Sequence, residues 1–199
     1  MRRRPSSAAS VWLAALAWLA ASSRPAAGIL GRGGRRRRPH SYVRELQKYR
    51  SEVAERTTRI DAILATTGEA IDGLRRRDLD VDEAVEQLQA AEDELDTVAD
   101  ELREMLAPEE LHSLHMEYEA NLERALRGIV TAQRGCGITR LPHRPPEDEE
   151  PFIYWKRGHL NVLHARLRMQ ELVDALVAWE PGKPAEASVA ARLERTRGG

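Results

Sequence analysis

Residues 80–106 have the sequence DVDEAVEQLQAAEDELDTVADELREML, and this stretch decides the fold. One row of side chains recurs in it at steps of four and three residues, and all but one of them are apolar. The row consists of Val81, Val85, Leu88, Glu92, Leu95, Ala99, Leu102 and Leu106. Such a row lies along one face of an α-helix, which must bury that face against other helices. The acidic start at Asp80–Glu83 is close to a capping box and predicts the beginning of the helix.

Three further stretches repeat this spacing and predict three more helices. They begin at Ser41, at Pro108 and after Pro151, which are favourable residues at a helix N-terminus. Gly135 is expected to end the third helix, and Pro181 is expected to end the fourth.

The joins between these helices set their directions. The joins at residues 75–79 and at Ala107 are short, so the first three helices must run alternately up and down. The last join, residues 134–150, is longer. In the last pair of helices, residues whose numbers add up to about 285 should lie level with each other. The sequence therefore predicts an all-α fold over residues 41–181, an antiparallel four-helix bundle with coiled-coil-like seams.

Residues 1–23 have the layout of a secretory signal peptide. Arg2–Arg4 precede an apolar run at 8–21, and small residues suit cleavage after Ser22 or Ser23. The run is shorter than the roughly 20 residues of a membrane-spanning helix, so an uncleaved membrane anchor is the second interpretation. Either interpretation predicts an extracytoplasmic protein, secreted or tethered to a membrane.

Residues 24–40 are expected to form a flexible basic linker, and residues 182–199 a mobile tail. Arg35–Arg38 follow the predicted cleavage site closely, where positive charge resists translocation. A third interpretation therefore stays open, in which the true start lies downstream and the protein is a cytoplasmic coiled-coil protein.

Charge is balanced over the whole chain, with 31 basic and 32 acidic residues, but it is distributed unevenly. Residues 1–77 contain 17 basic and 6 acidic residues, whereas residues 78–104 contain 12 acidic residues and one basic residue. No aromatic residues alternate with the arginine clusters at 35–38 and 75–77. Nucleic acid is therefore not an expected partner.

The sequence offers no set of metal ligands. Cys136 is the only cysteine, which excludes a thiolate-rich metal site, and its two glycine neighbours predict an exposed thiol. Glu109 and His112 have the spacing found in di-iron helices, but the matching position before His164 is Asn161. We expect neither a metal nor a cofactor.

Arg56 and His115 interrupt the apolar rows of the first and third helices. The predicted joins place both near the middle of the bundle, where Asp100, Glu101 and Glu52 supply carboxylates. We expect a polar layer there. It is either a structural boundary that fixes the helix register or a pocket for a small ligand or a sensed metal.

Phe152, Tyr154 and Trp155 form an aromatic cluster where the chain enters the fourth helix. They either cap the end of the bundle or form an exposed docking patch.

These patterns together favour a non-catalytic binding or scaffolding protein of the cell envelope. Its expected partner is another protein or a second copy of itself. A ligand-sensing bundle is the alternative.

Overall fold

The computed structural model describes residues 40–143, 145–146 and 148–181. The described residues are 85% helical and contain four long helices and no strand. A short 3₁₀ turn, Glu109–Leu111, precedes the third helix. The long helices are α1 (His40–Arg76), α2 (Val81–Arg103), α3 (His112–Thr139) and α4 (Pro151–Ala178). The predicted signal peptide or anchor at 1–23, the linker up to residue 39 and the tail at 182–199 lie outside the described residues.

Local sequence signals explain the turn between α1 and α2. The carboxylate of Asp80 accepts a hydrogen bond from the backbone N–H of Asp82 at 2.8 Å, which caps α2 as predicted. At the end of α1, the backbone N–H of Asp78 donates to the carbonyl of Gly73 at 2.9 Å. Arg77 adopts the left-handed conformation between them, with φ of 62°. The chain therefore reverses through a Schellman-type turn that places an arginine where glycine is usual.

α2 ends earlier than the apolar row predicts. Its last residue is Arg103, and Leu106 lies in the following loop with 94% of its surface exposed. The loop N–H of Met105 donates to the carbonyl of Leu102 at 3.0 Å. Pro108 disfavours the helical conformation at Ala107, which keeps α2 separate from α3 but does not account for its end at Arg103. The prediction that Leu106 belongs to the helix seam is therefore wrong.

α3 continues past Gly135 to Thr139, so this glycine does not end the helix. A β-carbon at Gly135 would lie 2.8 Å from the indole ring of Trp155, so this position needs a glycine for packing. The extra helical turn carries Cys136 into the core, where it is fully buried. The expectation of an exposed thiol is therefore wrong, and burial raises the pKa of the Cys136 thiol.

Apart from Leu106, every described residue of the four predicted seams is buried or partly buried. α1 packs against α2 and α4, and α3 packs against the same two helices. The core is continuous across the four helices. The largest fully buried side chains are Trp179, Ile60, Leu64, Ile71, Leu74, Leu88, Leu95, Leu102, Leu111, Leu122, Ile129 and Met169.

Cross-helix hydrogen bonds show that α3 and α4 run in opposite directions. Arg124 of α3 donates to the amide oxygen of Asn161 at 3.4 Å, and Arg168 of α4 donates to the carboxylate of Glu117 at 2.8 Å. The residue numbers of both pairs add up to 285, which confirms the alignment predicted for this pair of helices. On the other side of α4, Arg166 binds Asp61 of α1 through two hydrogen bonds of 2.7 and 3.0 Å.

α3 and α4 approach each other through two glycines. A β-carbon on Gly158 would lie 2.7 Å from the backbone oxygen of Gly128, and one on Gly128 would lie 2.9 Å from the backbone oxygen of Gly158. The obstructing atoms are backbone atoms of a helix, so they cannot move aside as the end of a flexible side chain does. The spacing between these helices therefore depends on glycine at both positions.

We expect Gly158→Ala to destabilise the protein by about 1–3 kcal/mol, because the new methyl group forces the two helices apart. Gly68→Ala is the matched control. It replaces a helical glycine that has nothing within 4 Å of the new β-carbon. It should stabilise the protein by about 0.5–1 kcal/mol through helix propensity alone. Urea unfolding followed by circular dichroism measures both values, and equal effects of the two substitutions would contradict the packing argument.

Among the described residues, no helix has both the length and the apolar character needed to cross a membrane.

Candidate binding cleft

The first half of α1 and the loop between α2 and α3 form the sides of an open cleft of about 810 Å³, which we call the Leu106 cleft. α1 contributes one side, and the end of α2 with the loop contributes the other. It is lined by Tyr42, Glu45, Lys48, Tyr49, Glu52, Arg56, Glu101, Glu104, Met105, Leu106, Ala107, Pro108, Glu109 and Glu110. This volume is within the range of ligand-binding clefts, about 300–1,000 Å³.

The Leu106 cleft is acidic. Its lining contains six glutamates, one lysine and one arginine, which gives a net charge of −4. Within the described residues no ion pair involves Glu45, Glu104 or Glu109, and all three are exposed. Glu110 accepts a hydrogen bond from the hydroxyl of Tyr42 at 2.8 Å. The unpaired carboxylates give the cleft a negative potential that favours a cationic partner.

An apolar element stands beside these carboxylates. Leu106 is almost completely exposed, and Met105 next to it is partly buried against the core. Hydrogen bonds fix both ends of the loop, because Met105 bonds back to Leu102 and the N–H of Leu111 donates to the carbonyl of Pro108 at 2.8 Å. The loop therefore presents one large aliphatic side chain to solvent from an anchored backbone.

Three of the five residues predicted to form a polar layer line this cleft, namely Glu52, Arg56 and Glu101. The guanidinium of Arg56 lies 3.2 Å from the carboxylate of Glu101, and the guanidinium of Arg59 lies 3.0 Å from the same group. Asp100 lies elsewhere, on the exposed face of α2, where it pairs with Arg103 at 2.7 Å. Of the three carboxylates that the sequence offered, Glu101 is the one whose side chain pairs with Arg56.

His115 is not part of the Arg56 cluster. It is buried, its Nδ1 lies 3.0 Å from the hydroxyl of Tyr49, and its Nε2 lies 3.3 Å from the carboxylate of Glu119. The loop from 104 to 111 uses more residues than the single join at Ala107 that the sequence suggested. α3 therefore begins later, and His115 lies beside Tyr49, about two helical turns from Arg56 along α1.

The buried polar groups have shifted pKa values. Burial lowers the pKa of His115, although the nearby carboxylate of Glu119 acts in the opposite direction. Burial also raises the pKa values of the Tyr49 and Tyr118 hydroxyls. Around neutral pH the imidazole is therefore uncharged, and its two nitrogens serve as one donor and one acceptor.

A second buried polar pair, which the sequence did not indicate, lies about one helical turn from this histidine. The hydroxyls of Thr57 and Tyr118 lie 2.8 Å apart, and Thr57 also donates to the carbonyl of Val53 at 2.7 Å. Thr57 lies next to the apolar row of α1, and Tyr118 counts as apolar in that pattern. Spacing alone therefore gives no signal for the pair.

The predicted aromatic patch is mostly interior. Tyr154 is buried and donates to the carboxylate of Asp148 at 3.2 Å, and Trp155 packs against the core. Phe152 remains exposed, with the guanidinium of Arg75 5.8 Å from its ring centroid. Phe152 and Trp155 also line a second open cleft of about 630 Å³ beside the turn between α1 and α2. The surface that a partner can reach here is therefore Phe152 and the edge of this cleft.

Within the described ranges, no group of three or more His, Cys, Asp or Glu side chains is arranged to hold a metal ion. Comparison of the chain with protein-family models, with curated proteins and with solved structures finds no match.

We expect the free energy of unfolding to fall as the pH drops through 6.5, the ordinary pKa of histidine. Because burial lowers the pKa of His115 in the folded protein, the unfolded chain binds a proton there that the folded protein does not bind. His115→Asn keeps a donor and an acceptor but does not titrate, so this variant should lose less stability between neutral and mildly acidic pH. Urea titrations at several pH values measure the slope.

His143→Asn is the control, since it removes a histidine from an exposed position. It should retain the wild-type pH slope. An identical slope in the wild type and in His115→Asn would show that His115 contributes nothing to acid sensitivity.

Proposed function

We propose that the protein is an antiparallel four-helix bundle that acts as a non-catalytic binding protein of the cell envelope. The pairwise packing of the four helices and the opposite directions of α3 and α4 support the bundle. The observation that carries the binding function is the Leu106 cleft, where an exposed leucine stands among unpaired carboxylates. Such a combination fits a segment of a partner protein that is both basic and apolar.

The charge and the shape of the cleft favour the same kind of partner. Basic side chains of the partner pair with Glu45, Glu104 and Glu109, which have no ion partner within the described residues. An apolar side chain of the partner packs on Leu106 and removes its surface from water. Because these carboxylates are exposed, their attraction is screened by salt and acts chiefly on the rate of association.

A labelled peptide of alternating arginine and leucine tests this proposal by fluorescence anisotropy with the full chain. Glu104→Lys/Glu109→Lys should weaken binding about tenfold or more, because it replaces attraction in the cleft with repulsion. Leu106→Ser should weaken binding at physiological salt as well, since it removes the apolar contact. High salt should weaken binding of the wild type.

The matched control is Glu86→Lys/Asp96→Lys, which makes the same change in net charge on the exposed face of α2, outside the cleft. This variant should bind the peptide within about twofold of the wild type if binding is local to the cleft. Equal weakening by the two charge-reversed variants would show non-specific attraction and would refute the cleft as the site.

A second candidate function, sensing of a small ligand, is favoured by the position of Tyr49. This residue lines the Leu106 cleft and its hydroxyl reaches the imidazole of His115 in the core. A cationic ligand in the cleft would therefore contact a side chain that is linked to a buried polar group. The sensing function predicts a rise in Tm with arginine, spermine or divalent cations in the absence of any peptide, which thermal unfolding measures.

The proposed location rests on the charged start and the apolar run of residues 1–23. We expect a C-terminally tagged protein to appear outside the cytoplasm, with Ser23 or Arg24 as its first residue. An uncleaved anchor predicts Met1 in the membrane fraction. An unprocessed product in the cytoplasmic fraction would eliminate export and leave the cytoplasmic coiled-coil interpretation.

A further inference from the structure

α4 carries an apolar stripe on its outer face that no other described element covers. Leu160, Leu163 and Leu167 are 40%, 39% and 50% exposed. They follow one another at steps of three and four residues, so they lie on one face of the helix. α4 also has a complete inner seam that packs on α1 and α3, so this second stripe is not needed for the core.

Charged residues stand at the two ends of this stripe. Lys156 lies four residues before Leu160, and Glu171 lies four residues after Leu167, on the same face. Lys156 has no ion partner within the described residues, and Glu171 is exposed and pairs with Arg168 at 2.7 Å. The outer face of α4 therefore runs from a positive end through three leucines to a negative end.

We propose that two copies of this chain associate through the outer faces of α4, in an antiparallel arrangement about a two-fold axis. In this register Leu160 packs against Leu167 of the partner subunit. Lys156 lies opposite Glu171 of the partner subunit. Leu163 packs near the axis, beside His164 of the partner subunit. All of these contacts occur twice, as a two-fold interface requires.

The charges select this register over a parallel one. A parallel pairing places Lys156 opposite the same residue of the partner subunit, and likewise Glu171, so both ends are repulsive. The antiparallel pairing makes both ends attractive. An axial shift by one heptad in either direction separates Lys156 from Glu171 of the partner subunit. The antiparallel register is thus the one that satisfies the leucines and the charges together.

The length of the outer face of α4 sets the affinity that we expect for the dimer. Residues 156–171 span about 24 Å of helix, so the contact is smaller than that of a permanent dimer, and we expect a Kd on the order of micromolar. This interface is separate from the Leu106 cleft, because α4 contributes no residue to the lining of that cleft. A dimer therefore leaves the Leu106 cleft of each copy open to a partner protein. Either of the two proposals can be wrong without affecting the other.

Sedimentation velocity of the full chain over a range of concentrations, in the presence of a reductant, tests the proposal. The wild type should show reversible dimerisation. Leu163→Glu should weaken it by about tenfold or more, because it removes both central leucines and places two carboxylates near the two-fold axis. Val130→Glu is the matched control, since Val130 is also 50% exposed but lies on α3. It should dimerise like the wild type, and circular dichroism should show that both variants keep their helices.

A charge exchange tests the register itself. Lys156→Glu and Glu171→Lys should each weaken the dimer about threefold or more, because each makes both ends of the contact repulsive. The double variant should recover wild-type dimerisation. An equimolar mixture of the two single variants should form a mixed dimer that is tighter than either variant alone.

A wild-type chain that stays monomeric at all concentrations overturns the proposal. So does a dimer that Leu163→Glu leaves intact. A double variant that remains as weak as the single variants overturns the antiparallel register.

Discussion

The close contact between α3 and α4 at Gly128 and Gly158 is the constraint on which the rest of the helical packing depends. With no side chain at either position, the two backbones approach within a distance that a single methyl group would prevent. This spacing lets Arg124 and Arg168 reach across to partners on the other helix, on the side of the crossing nearer the start of α3. It also directs the inner face of α4 into the core and leaves its second apolar face outside.

The polar residues of the interior connect the core to the surface on the α1 side. Tyr49 lines the Leu106 cleft, and its hydroxyl is paired with His115, which in turn lies beside the carboxylate of Glu119. A buried polar group without a partner would be costly, so these side chains hold one another in fixed positions. The cleft therefore has one rigid wall, formed by α1, and one wall formed by a loop that is anchored at both ends.

Much of the fold follows from the sequence, because the apolar rows have one physical solution. The rows predicted which faces of the helices are buried, and the predicted alignment of α3 with α4, a sum of about 285, agrees with the contacts between them. The wrong predictions concern the ends of α2 and α3, because Pro108 and Gly135 do not mark where these helices end. α2 ends at Arg103 and leaves Leu106 exposed, while Gly135 serves packing and lets α3 carry Cys136 into the core. The cleft could not be predicted for the same reason, since it depends on where α2 ends and on how many residues the loop uses.

The turn after α1 lowers the stability of the folded protein slightly, because one of its residues adopts an unfavourable backbone conformation. Arg77 holds a backbone conformation in which its β-carbon crowds the peptide group, at an energy of about 1–2 kcal/mol above that of an ordinary residue. The two backbone hydrogen bonds that close the turn between α1 and α2 hold Arg77 in this conformation. The helical hairpin formed by α1 and α2 thus contains a small amount of backbone strain. A glycine at this one position would remove the strain and keep the two backbone hydrogen bonds of the turn.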